Sequence, residues 1–167
     1  MIPTVAQHIG AVRNTIAKTV MPALDPDDSF AAEQAGLALA CLDWVLDVQE
    51  SEYGYEVVEH ADYRAALVAL LASPTNGDDS ARALIDETAQ PPSDMRALRG
   101  QVRRLKAEVA EAFHRGAQGS EEQRSGAQKI MVELAVRQSE RELSWCRMTG
   151  FPQGQQPAIA EVLSTQR

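Results

Sequence analysis

Met95, Leu98, Val102, Leu105, Val109 and Ala112 recur in alternating steps of three and four. That period fits a helix, because residues three and four apart share one side of a helix, whereas a strand alternates at every second residue. A seam of about two and a half heptads must be covered by neighbouring helices. It therefore predicts an all-α fold, an antiparallel bundle of four to six helices. Ser93 is the expected cap of this helix, and Gly116 and Gly119 mark its end.

Other stretches carry the same period. Thr4 is placed to cap a helix to about Met21, with Val5, Ile9, Val12, Ile16 and Val20 along one stripe. Pro22 and the acidic turn at 25–28 end it, and Ser29 or a preceding aspartate caps the next helix, to about Glu50. That second helix is apolar on several sides, with Asp43, Asp47 and Glu50 on a narrow acidic edge, so it is expected at the centre of the bundle. Gly54 loosens the pattern between Tyr53 and Tyr55, and no proline separates this helix from the next, so the two are either continuous or kinked. Pro74 with Asn76 and Gly77 predicts a loop, then a short helix over 80–89. Ser120 with Gln123 opens the last long helix, which carries Ala127, Ile130, Met131, Leu134, Trp145 and Met148 on one side and stops at Gly150. The expected organisation is a bundle over 1–150 and a tail over 151–167 with a short helix near 158–163.

Composition narrows the function classes. Hydrophobic residues make up 44% of the 167 and charged residues 24%, enough for one domain with a core. The net charge of −8 repels nucleic acid and anionic membranes, so neither is an expected partner. No apolar run approaches the roughly 20 residues of a membrane span. The Met1-Ile2-Pro3-Thr4 start lacks the charged and apolar regions of a signal peptide, so a cytoplasmic location is expected. Cys41 and Cys146 then read as buried thiols rather than a disulfide.

Each candidate for chemistry has a plainer competitor. Bundles hold di-iron with paired Glu-x-x-His motifs. This chain has one such motif, Glu111 to His114, and helical phase turns both residues more than about 120° from the seam, toward solvent. Position 57, before His60, is valine, and His8 has no nearby carboxylate. No metal or cofactor is expected. Arg96, Arg99 and Arg103, with Arg104 and Lys106, flank the seam. They suit an anionic ligand through the planar guanidinium fork, or else form a solvated face paired with the acidic helix. Trp44, Tyr53 and Tyr55 are candidates to wall a small pocket, or else they close the end of the bundle. Nucleophile–base arrangements and glycine-rich phosphate loops are missing, so catalysis is not the expected activity.

A second apolar row on the last helix, Val132, Val136 and Leu143, lies roughly opposite the first. Either the tail folds over it or a partner does, and a two-fold homodimer is the commonest such partner.

The segment from Ala11 through Met21-Pro22-Ala23-Leu24, followed by an acidic turn and the alanine-rich stretch to Val45, resembles the opening of a family of small all-helical bacterial proteins. That family has no settled function and occurs beside aminoglycoside-phosphotransferase-like and acyl-CoA dehydrogenase proteins. The resemblance covers residues 11–45 and implies a helical fold without assigning any residue a role. The expected function is an accessory or interaction module that self-associates. The alternative is a binder of a small anionic molecule, or an enzyme, with a pocket between helices.

Overall fold

Thr4 caps the first helix as a capping box: its hydroxyl accepts from the Gln7 amide at 3.2 Å, and the Gln7 side chain accepts from the Thr4 amide at 2.9 Å. The computed structural model describes residues 2–72, 79–150, 152 and 154–167. Among these it is all-α, as the periodicity predicts: α1 (Val5–Thr15), α2 (Ser29–Val48), α3 (Glu52–Leu71), α4 (Asp79–Glu87), α5 (Met95–Ala117), α6 (Glu121–Trp145) and the short tail helix α7 (Ile159–Gln166). The loop predicted from Pro74, Asn76 and Gly77 lies outside the described residues. Contacts divide the chain into two units, Met1–Glu52 with Glu142–Val162, and Tyr53–Arg141 with Leu163–Arg167.

In the first unit α1 passes into a π-helical turn, Ile16–Val20, and a 3-10 turn, Met21–Ala23. Asp28 caps α2, its carboxylate accepting from the Ala31 amide at 2.9 Å. Arg13 pairs with Asp43 across α1 and α2, and Arg147 with Asp47. Trp44 donates its Nε1 to the Trp145 carbonyl at 2.9 Å and meets that ring edge-on. Gly150 ends a 3-10 turn, Arg147–Thr149, with a left-handed φ of 74°, the stop the sequence predicts.

The expectation that α2 sits at the centre is corrected here. Val48 alone of its residues is buried, and α1 buries none. The reason is a shortage of neighbours, since within its unit α2 packs on α1, the turn that follows α1 and the turn after Trp145. Its opposite side, Phe30, Leu37 and Cys41, faces outward. The buried-thiol reading therefore fails for Cys41, which is exposed, while Cys146 is half-buried and both are free.

The core belongs to the second unit. Leu98, Val102, Leu105, Val109 and Ala112 of the α5 seam are all buried. Leu105, Val109 and Ala112 join Ala66, Leu67, Leu70 and Leu71 of α3, Ala81 and Leu84 of α4, and Ala127 and Leu134 of α6 in one cluster. α5 is capped by Asp94, one residue beyond the expected Ser93, because the Asp94 carboxylate accepts from the Ala97 amide at 2.7 Å. The Ser120 capping box forms with Gln123 at 3.3 and 2.7 Å. A 3-10 turn, Gln49–Ser51, joins α2 to α3, which begins at Glu52 and so takes in Tyr53, Gly54 and Tyr55.

Candidate functional site

Hydrophobic packing in the second unit surrounds one strongly polar cluster. Ala127, Leu134 and Arg141 fall seven residues apart on α6, so helical phase sends all three to the core side. Arg141 is accordingly 0% exposed. Its Nη1 donates to Asp62 of α3 at 2.6 Å and to the Gln166 side-chain oxygen at 2.7 Å. Asp62, whose side chain is 9% exposed, also accepts from Arg137 Nη2 at 2.8 Å. The Arg141 guanidinium carbon lies 5.8 Å from the Tyr55 ring centre, a cation–π contact. Its Nε and Nη2 find no acceptor among the described residues.

Beside this cluster a groove of about 250 Å³ runs between α3 and α6, floored by Ala65, Ala66, Ala69, Ile130 and Leu134 and edged by Asp62, Glu133 and Arg137. The small alanine side chains leave the space, and the charged groups stand at its edge. This is an open, mostly apolar groove without an assembled set of reactive groups.

Three of the basic side chains flanking the α5 seam pair with carboxylates. Arg99 pairs with Glu56 at 2.9 Å, and Lys106 pairs with Glu59 at 2.7 Å and lies over the Tyr63 ring. Arg104 forms a two-pronged pair with Glu87, whose hydrogen bonds hold the carboxyl below its usual range. Arg96 and Arg103 are exposed. The acidic partners thus come from α3 and α4, while Asp43 and Asp47 are taken by Arg13 and Arg147. The aromatic candidates are each engaged: Trp44 with Trp145, Tyr55 beneath Arg141, and Tyr53 through its hydroxyl, which donates to the Pro92 carbonyl at 3.0 Å.

Glu111 and His114 are exposed, where helical phase puts them, and His8 is exposed too. His60 is buried, with Nε2 2.9 Å from the Gln101 side-chain oxygen. Burial holds its imidazole below the ordinary range. In the second unit Val132 and Val136 are 63% and 54% exposed, turned away from the core. Leu143, in the first unit, is exposed as well. The tail covers a different side of α6: Gln166 meets Arg137 and Arg141, about 140° around the helix from the valines.

Sequence reasoning passed over Asp62, Arg137, Arg141 and Gln166. The available signal was the seven-residue spacing that puts Arg141 in line with Ala127 and Leu134. Comparison with protein-family models, with curated proteins and with solved structures finds no match for this chain.

Proposed function

We propose that this chain is a non-catalytic interaction module that self-associates through apolar helix faces its own fold leaves uncovered. The observation that carries the reading is α2. Its Phe30 and Leu37 are 69% and 54% exposed and, with Cys41, line the side away from the half-buried face. A helix this apolar is ordinarily buried on several sides, and water contact along such a stripe costs roughly 25 cal/mol per Å². A second copy supplies the complement without a further partner, because a two-fold axis lays one stripe against its equivalent. Val132 and Val136 give α6 a smaller surface of the same kind.

Size-exclusion chromatography with light scattering tests the proposal. The expected result is a dimer or larger species that Leu37→Glu dissociates without loss of helicity, and Val136→Glu reports whether α6 takes part. A wild-type chain that stays monomeric at high concentration overturns it.

A further inference from the structure

The buried cluster on α3 and α6 is short of negative charge. Arg137 and Arg141 both reach one carboxylate, that of Asp62. Arg141 lies wholly inside, where an uncompensated charge is costly because water cannot solvate it. A guanidinium has five N–H donors, and in Arg141 only Nη1 is engaged among the described residues. The Tyr55 ring disperses part of the charge but leaves Nε and Nη2 without an acceptor among the described residues.

The last turn of α7 completes the cluster. The Gln166 side-chain oxygen accepts from Arg141, and its amide nitrogen donates to Glu140 at 2.9 Å and to the Arg137 carbonyl at 3.2 Å. The backbone carbonyl of Gln166 accepts from Arg137 Nη2 at 2.7 Å. A neutral oxygen therefore stands where the cluster lacks an anionic one. The next carboxylate, Glu140, is exposed and reaches Gln166 only through the amide nitrogen.

We propose that Arg137, Arg141 and Asp62 form a carboxylate-binding cradle, filled here by the carboxamide of the chain's own Gln166. The ligand class is an aliphatic carboxylate with about the reach of a glutamate side chain. It enters where the last turn of α7 yields its place, so the tail and the ligand compete for one guanidinium. The bond from Arg141 to the carboxamide is charged on the donor side alone; a carboxylate adds the opposite charge, and Coulomb attraction in the enclosed site gives it the advantage.

Two measurements decide the matter. The double exchange Glu140→Gln with Gln166→Glu keeps net charge and composition and moves one carboxylate from the exposed edge to Arg141. The expected result is an unfolding midpoint raised by roughly 2–4 °C; an unchanged or lowered midpoint overturns the proposal. In Gln166→Ala the place of the carboxamide is vacated, and sodium propionate is expected to restore the midpoint where propionamide, or sodium chloride at equal ionic strength, does not. Adding Arg141→Met is expected to abolish the rescue. Equal responses to propionate and propionamide, or none to either, overturn the proposal. Should Gln166→Ala fail to fold, the exchange variant decides alone.

Discussion

Asp62→Asn isolates what the buried carboxylate does, because asparagine keeps the shape and an acceptor oxygen while removing the charge. In the native chain Asp62 faces Arg141 at 2.6 Å and Arg137 at 2.8 Å. Arg137 is about two-fifths exposed and can turn to water, whereas Arg141 is fully enclosed and cannot. Removing one partner of a buried pair typically costs about 3–5 kcal/mol, and the bond to Gln166 that survives places this case at the lower end. For a chain of this size that loss lowers the thermal midpoint by about 6–12 °C. Circular dichroism melts, with urea titrations alongside, measure it. Replacing both partners, Asp62→Leu with Arg141→Met, removes the stranded charge and is expected to recover most of the loss. A cost below about 1 kcal/mol for Asp62→Asn would show that Arg141 is not held by this carboxylate and refute the reasoning.

Three further outcomes follow from the same structure. Leu105→Ala opens a cavity at a position with 0% exposure and is expected to cost about 2–5 kcal/mol in urea unfolding. Trp44→Phe removes the donor to the Trp145 carbonyl and is expected to cost about 1 kcal/mol, read by the same titration. His60 is held below its ordinary pKa by burial, so the unfolded chain takes up its proton first. Its contribution is complete above about pH 6.5 and is lost as the pH falls through and below that value. Melts at descending pH should show the wild-type midpoint falling over this window, and His60→Gln should flatten that part of the curve.

The α5 seam was fully legible because a helix with a strict three–four period needs only local phase to declare its inner side, and Leu98 through Ala112 obey it. The Thr4 cap and the Ser120 capping box were legible for the same reason, each being written within four residues. The role of α2 was not legible. Hydrophobicity says that Phe30 and Leu37 are able to be buried; whether a neighbour arrives depends on the rest of the chain, and α1 covers only one side. The cradle was hidden twice over. A charged residue argues against a core position on composition, yet Arg141 holds one because Asp62, 79 residues away in sequence, meets it there. Gln166 sat in a tail whose pattern promised a turn or two of helix and nothing about where it docks.

The π-helical turn at Ile16–Val20 bears on how the gene for this chain can change length. Each i→i+5 bond encloses one residue more than the α pattern, so this turn holds one residue in excess of a regular helix. Deleting a single codon there would regularise the coil while the stretches on either side kept their rotational setting. The same deletion inside α5 would swing every later side chain by about 100° and turn the seam out of the interior. A one-residue deletion is thus expected to be absorbed in the turn that follows α1 and to disrupt the seam when made in α5, a contrast that thermal melts of the two deletion variants would read.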